Sequence, residues 1–271
     1  MSGLEKFLKT KENKMKAIAI IPARMGSSRF PGKPLAEIHG LPMVAHCFLR
    51  TQMCSDLIKT YVATCDREIA DYVTSIGGNA ILTSDSHERA TDRTAEAMLK
   101  AEADLGFPVD VVVMVQGDEP MVTPKMISLA LTPFNEVEEV KVVNLMAYIE
   151  DIPNFEDPNE VKVVVDKKSD AIYFSREPIP SRRKGVSDVP MLKQVCIIPF
   201  TRDYLLRFNS LEETPLEKIE SVDMMRVIEN GEKVRMVMTD ELSCSVDTAE
   251  DLQHAIKLMA QDSMMLNYLE K

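Results

Sequence analysis

No apolar run in this chain approaches the ~18 residues that a membrane-spanning helix needs, which excludes an integral helical membrane protein. Positive charge is scarce: 32 Lys and Arg stand against 43 Asp and Glu, a formal charge of −11 that argues against a nucleic-acid surface. The five cysteines (Cys47, Cys54, Cys65, Cys196, Cys244) are odd in number and form no CxxC pair, so neither a zinc site nor a disulfide framework is suggested. The four histidines, His39, His46, His87 and His254, are scattered and suggest no metal cluster. Residues 1–14 are charged and lack the apolar core of a signal peptide. They read as a flexible N-terminal extension, and a cytoplasmic location is expected. There is no internal repeat. What remains is a 271-residue chain, 45% hydrophobic and 28% charged, with ample material for a core.

Against that acidic background the segment 21–35 stands out. It follows an apolar run, Ala17–Pro22, that reads as a buried first strand. Within a dozen residues it gathers Arg24, Arg29 and Lys33 with Gly26, Gly32, Ser27 and Ser28. Glycines let backbone amides approach oxygens, serines add donors and the cations supply charge, which together suit a polyphosphate. A plain strand-to-helix turn explains the glycines and prolines but not three clustered cations. The segment is not a P-loop. Five residues rather than four separate Gly26 from Gly32, and Pro34 follows Lys33 where that motif places a metal-binding hydroxyl. A metal must therefore be held elsewhere.

Strand-like and helix-like segments alternate through the first half. A helix starts near Pro42, Ile58–Thr64 is strand-like, and Asp66 can cap a helix stopped by Gly77 and Gly78. Asn79–Leu82 reads as a short strand and Thr91–Leu105 as a helix ended by Gly106. Val111–Val115 is apolar at every position, the mark of a strand covered on both faces. The expected fold is α/β: a mostly parallel central sheet in a three-layer α/β/α sandwich. Lys141–Ile149, Val161–Asp166, Ala171–Phe174 and Lys193–Phe200 are strand-like with short connections, and suggest an antiparallel insertion over about 140–215 forming a lid or dimer surface. Helices return at Pro215–Asn230 and Thr248–Asp262, with strand Lys233–Met238 between them. The expected organisation is one domain over 15–262 and a tail over 263–271.

Two carboxylates sit where such a sheet binds ligands, beyond the carboxyl ends of strands. Gln116-Gly-Asp-Glu-Pro120 follows the buried strand, and Asp118 is the first candidate ligand for Mg²⁺, with a solvated turn as the plain alternative. Asp247 lies between a short strand and a helix whose Thr248 and Asp251 resemble a capping box, which leaves Asp247 over. Two carboxylates and a cationic loop are the parts of metal-assisted nucleotidyl transfer. Thr91 reads as an N-cap. Arg93 in a first helical turn opposes the helix dipole and hints at a binding task. Arg176, ending a strand, could meet an acidic acceptor or a partner subunit, or be a plain surface arginine.

These segments together resemble one family. The pattern of 21–35, then Thr91-Asp-Arg93, Gln116-Gly-Asp-Glu-Pro120, Tyr173-Phe-Ser-Arg176, Pro215-Leu-Glu217, Arg226 and Val246-Asp-Thr-x-Glu-Asp251, is similar to the 3-deoxy-manno-octulosonate cytidylyltransferases (CMP-Kdo synthetases) from about residue 16 to 260. The resemblance implies CTP and a small acidic sugar as substrates, Mg²⁺ as cofactor and a homodimer. It makes Arg24, Lys33 and Asp118 catalytic, and Asp118 and Asp247 the metal ligands. It assigns Pro22, Ala23, Arg24, Ser27, Ser28, Arg29, Lys33, Thr91 and Arg93 to the nucleotide, and Gln116, Arg176, Gln194 and Asp223 to the acceptor.

The chain departs from the family mainly on the acceptor side. Gln194-Val-Cys196-Ile-Ile198 replaces His-x-Gly-x-Tyr, Asp223-Met-Met-Arg226 replaces Glu-Gln-Leu-Arg, and Arg89-Ala90 replaces Ser-Gly before Thr91. Groups that hydrogen-bond hydroxyls discriminate strongly, so these changes leave open a modified ulosonic acid, another sugar acid or a phosphonate. A nucleotidyltransferase using another NTP, and a nucleotide-binding protein without turnover, are the remaining alternatives.

Overall fold

The computed structural model describes residues 15–26, 30–136, 139–183, 185–186 and 188–269. The extension 1–14 and the predicted phosphate ligands Ser27, Ser28 and Arg29 lie outside the described residues.

The first half builds the nucleotide scaffold from β1 (Ala17–Pro22), β2 (Glu37–Ile38), β3 (Leu41–Pro42), α1 (Met43–Thr51), β4 (Leu57–Thr64), α2 (Arg67–Ser75), β5 (Ala80–Leu82), α3 (Ala90–Leu105), β6 (Val111–Val115) and α4 (Pro124–Glu136). Strands β1 and β6 are buried at every residue because both faces of their sheet are covered. Ile18 and Ile20 face a core shared with Ala97 and Met98 of α3. Ala19 and Ile21 face the opposite core, with Val44 of α1, Ile69 of α2 and Ile127 of α4. This is the three-layer arrangement that a continuous apolar strand demands.

The second half contains β7 (Val143–Tyr148), α5 (Ile152–Glu156), β8 (Lys162–Val165), β9 (Ala171–Ser175), β10 (Leu192–Val195), β11 (Ile197–Thr201), α6 (Arg202–Ser210), α7 (Pro215–Glu220), α8 (Met224–Glu229), β12 (Arg235–Met238), α9 (Ala249–Met259) and α10 (Ser263–Leu269). The main sheet has the order β11-β6-β1-β4-β5, parallel except for β11. After β1 the chain moves outward to β4 and β5, then returns to β6 on the other side of β1. The strand order reverses between β1 and β6, and their carboxyl ends flank the crevice where such sheets hold ligands.

The expected antiparallel region is a second five-stranded sheet, β12-β7-β10-β8-β9, whose one parallel pair, β12 with β7, comes from beyond residue 215. The segment 193–200 is not one strand. Val195 pairs with Leu145 in the second sheet and Ile197 pairs with Val115 in the first, so the chain changes sheets at Cys196. Pro215–Asn230 is likewise two helices, broken where Ser221 adopts the left-handed conformation (φ 53°). The helix expected from Thr91 starts at Ala90, with Arg89 at the N-cap and the Thr91 hydroxyl used elsewhere. Asp66 occupies its N-cap position, but its carboxylate accepts the Met25 N–H at 2.8 Å instead of capping. The tail over 263–271 contains a helix, α10, whose Met265 is buried. No helix among the described residues is long and apolar enough to cross a membrane.

A third, smaller core decides where the site forms. Ile38, Met121 and Val246 pack with Ala255, Met259 and Met265, and Phe30 lies against them. These residues lie beside the three segments that carry Lys33, Asp118 and Asp247.

Candidate active site

The cationic loop is bent back on itself. Gly32 takes a left-handed conformation (φ 76°) and its N–H donates to the Met25 carbonyl at 3.1 Å, after which Lys33–Leu35 forms one 3-10 turn. A residue with a side chain would be strained at that φ. The turn after β6 closes from the other side. Its Gly117 lies so near the end of β1 that a Cβ there would sit 2.8 Å from the Pro22 carbonyl oxygen. The Asp118 carbonyl accepts the Val246 N–H at 3.0 Å, which draws in the third segment. The capping box read from the sequence is present: Asp251 accepts the N–H groups of Asp247 and Thr248. The short strand expected directly before Asp247 is absent, residues 242–247 being irregular, and the Asp247 carboxylate is directed to Lys33.

Lys33 joins all three. Its Nζ donates to Asp118 Oδ2 at 2.8 Å and to Asp247 Oδ1 at 3.2 Å, with side chains only 13%, 18% and 21% exposed. Burial alone would lower the lysine pKa, but the two carboxylates outweigh it and hold the ammonium above its ordinary value of 10.5. Lys33 is therefore charged throughout the neutral range. The other oxygen of Asp118, Oδ1, is buried and meets no hydrogen-bond donor among the described residues. Two carboxylates that share one cation, one of them with a buried oxygen left unsatisfied, suit a small divalent ion. Mg²⁺ commonly takes one or two carboxylates and completes its shell with water and phosphate. No group of three or more His, Cys, Asp or Glu side chains suited to a metal occurs among the described residues.

Above the trio opens a cleft of about 290 Å³, lined among others by Pro22, Ala23, Arg24, Lys33, Arg93, Gln116, Asp118 and Asp247, all named from the sequence. His87, Glu88 and Arg89 complete the wall. Arg89 is noticeable in the sequence only as a departure from the family pattern. Glu119, adjacent to Asp118, turns inward: it is 4% exposed, and burial, helped by the Asp118 charge, pushes its pKa up to about 8.

Four predicted residues do not line this cleft. Thr91 is buried and donates its hydroxyl to Asp223 Oδ2 at 3.0 Å. Asp223 also faces Arg89 Nη1 at 3.4 Å, and burial raises its pKa despite both partners. Arg176 spends its guanidinium on backbone, donating to the carbonyls of Glu220 at 2.7 Å and Pro158 at 2.8 Å. Gln194 donates its amide to Asn144 within the second sheet. Arg93 does line the cleft, but its guanidinium donates to Thr83 and to the carbonyls of Ser84 and His87, holding the wall in shape.

Behind that wall Arg226 and Glu217 form a bidentate ion pair at 2.6 and 2.7 Å, with side chains 5% and 0% exposed. Removing one partner strands the other charge. Glu217→Ala should cost about 3–5 kcal/mol in urea unfolding, and a loss under 1 kcal/mol would show that water reaches the pair.

Comparison with known proteins agrees with this geometry. The cytidylyltransferase family model matches residues 18–234. A 3-deoxy-manno-octulosonate cytidylyltransferase of Geobacter metallireducens is 40% identical over 257 residues, covering 91% of this chain and 99% of that protein. The enzyme of the same name from Trichlorobacter lovleyi is also 40% identical, over 91% of this chain and 100% of its own. A solved structure of CMP:2-keto-3-deoxy-manno-octonic acid synthetase complexed with CTP superposes with a TM-score of 0.83 at 37% identity, covering 91% of this chain and 99% of that one. With a cation bridging two carboxylates beneath a glycine-rich loop, and relatives matched over nearly their whole length, the chain belongs to the cytidylyltransferase family, alongside the 3-deoxy-manno-octulosonate cytidylyltransferases.

Proposed function

We propose that this enzyme transfers CMP from CTP to 3-deoxy-manno-octulosonate (Kdo), releasing pyrophosphate. The observation that carries the reading is Lys33 held between Asp118 and Asp247 at the base of a cleft lined by Arg24. In the reaction a hydroxyl oxygen of the sugar acid bonds to the α-phosphorus as the bond from that phosphorus to the bridging oxygen breaks. The electron pair leaves on pyrophosphate, and the hydroxyl proton passes to solvent. Lys33 and Arg24 place fixed positive charge where the transferring phosphoryl group and the departing pyrophosphate become more negative. Mg²⁺ bound to Asp118 and Asp247 would neutralise triphosphate charge and polarise the α-phosphoryl group.

The acceptor rests on the relatives, which are named for this sugar acid. A homodimer in the cytoplasm is part of the proposal. Tyr148 and Ile172, on the second sheet, are 63% and 55% exposed and could be covered by a second copy.

Pyrophosphate release should be measured with CTP, UTP, ATP and GTP, each against Kdo, its amino analogue, a sialic-type acid and a phosphonate. CTP with Kdo is expected to give the highest kcat/KM. Preference for UTP or GTP would remove the cytidylyl reading, and a faster rate with another acid would replace Kdo as acceptor.

A further inference from the structure

Two polar links run from the C-terminal helices to the turns that carry Lys33 and Asp118. The first passes through Arg50 on α1, whose side chain is 2% exposed. Its Nε–H donates to the Val122 carbonyl at 2.7 Å and Nη2 to that of Met121 at 3.4 Å, while Nη1 pairs with Asp262 between α9 and α10. Met121 and Val122 close the turn that carries Asp118: the Val122 N–H donates to the Glu119 carbonyl at 3.1 Å, and the Glu119 N–H to that of Gln116 at 3.2 Å.

The second link leaves the same helix one turn earlier. His46 Nε2 lies 2.8 Å from the Ile38 carbonyl and Nδ1 lies 2.7 Å from the Tyr268 hydroxyl. A carbonyl only accepts, so Nε2 carries the proton and Nδ1 accepts from the tyrosine in the neutral ring. Burial lowers the imidazole pKa and favours that neutral form. Ile38 lies two residues beyond Ala36, whose N–H closes the Lys33 turn on the Lys33 carbonyl at 3.0 Å. The two links thus leave one rigid helix, reach the two halves of the catalytic pair, and are both anchored by residues 262–268.

We propose that Arg50 and His46 are positioning residues for CMP transfer, through which the segment 262–268 fixes the separation of Lys33 from Asp118. The proposal rests on the function given above. Neither residue lines the cleft, so neither touches substrate. Their effect is geometric, and a misplacement near 1 Å costs about 100-fold in rate. Arg50 presents a planar fork that serves two carbonyls and a carboxylate at once, which a lysine cannot reproduce.

The test compares the wild-type chain with Arg50→Lys, Asp262→Asn and Tyr268→Phe, reading thermal midpoint, kcat, KM for each substrate, and Mg²⁺ at half-maximal rate. Calorimetry of CTP with Mg²⁺ supplies a readout independent of turnover. In folded Arg50→Lys, kcat should fall about tenfold. The Mg²⁺ requirement should rise several-fold, while acceptor KM stays within about twofold. Asp262→Asn should show the same split in smaller measure. Tyr268→Phe removes one hydroxyl that meets both His46 and Arg50, and should lower kcat and raise the Mg²⁺ requirement in smaller measure than Arg50→Lys. Wild-type kinetics and Mg²⁺ demand in all three would overturn the proposal. So would rate losses accounted for by unfolded protein alone. Should Arg50→Lys not fold, the other two variants decide by the same readings. Wild-type protein inactive with CTP and Kdo would sink the functional reading instead, and calorimetric loss of Mg²⁺-dependent CTP binding in the variants would then still test the positioning.

Discussion

Lys33→Ala is expected to lower kcat for CMP transfer about 10³-fold, on the order of 4 kcal/mol of transition-state stabilisation. The lysine does two things, of which Arg24 shares only the first. It places a fixed cation at the phosphate end of the cleft, and it keeps Asp118 and Asp247 from repelling one another across their shared Nζ. Lys33→Arg should not restore the rate, because a planar guanidinium cannot act as the compact charge that both carboxylates share. Circular dichroism should remain that of the wild type, since the trio sits at the end of the sheet and not within its cores. A rate within tenfold of normal would remove Lys33 from the mechanism. The pH dependence has a definite sign. The native pKa is raised, so the lysine's contribution to stability is complete below its ordinary 10.5 and is lost as pH rises through the native value. The stability gap between wild type and Lys33→Ala should therefore be constant from pH 6 to 9 and close only in strong alkali.

Gly117→Ala should be nearly as damaging, although no functional group is removed. The added Cβ would stand 2.8 Å from the Pro22 carbonyl oxygen and 3.4 Å from the Ala23 Cβ, and neither belongs to a flexible side-chain end. The clash is relieved only if the turn after β6 moves off the end of β1, which carries Asp118 away from Lys33. A kcat loss of about 100-fold is expected from displacement of that size, with about 1–3 kcal/mol of stability from overpacking. Gly26→Ala is the control for stability, because a Cβ there meets nothing within 4 Å among the described residues. Equal stability and normal kcat in Gly117→Ala would show that the two loops are not in rigid contact.

The parts of this molecule that can be read from its sequence are those where local pattern and tertiary demand coincide. β1 and β6 declare themselves because a strand covered on both faces has no polar position to spare. Lys33 can be nominated by the cations clustered around it, Asp118 by its place beyond a buried strand, and Asp247 because the capping box leaves it over. Other features escape for physical reasons. The change of sheet at Cys196 leaves no trace in the sequence, since Val195 and Ile197 on either side of it are both apolar and buried. Ser221 breaks a helix without the glycine that usually marks a left-handed residue. Arg93 looks like a ligand residue because it opposes a dipole, yet three oxygen acceptors of its own wall occupy it. Thr91 and Asp223, assigned to different substrates, bond to each other across 132 positions of sequence. No spacing rule reaches that far.

Finally, the third core has a consequence for how the chain is made. The ribosome releases the β1–β6 scaffold early, but 214 positions separate Lys33 from Asp247, and α9 and α10 emerge later still. At about 5–20 residues per second, that interval is roughly 10–40 s. Once Asp118 has been made, the nascent polypeptide carries Lys33 and Asp118 without the apolar support that aligns them until α9 and α10 follow. A prematurely terminated product lacking residues 249–269 would accordingly be unable to consume nucleotide, whatever part of its scaffold had already folded.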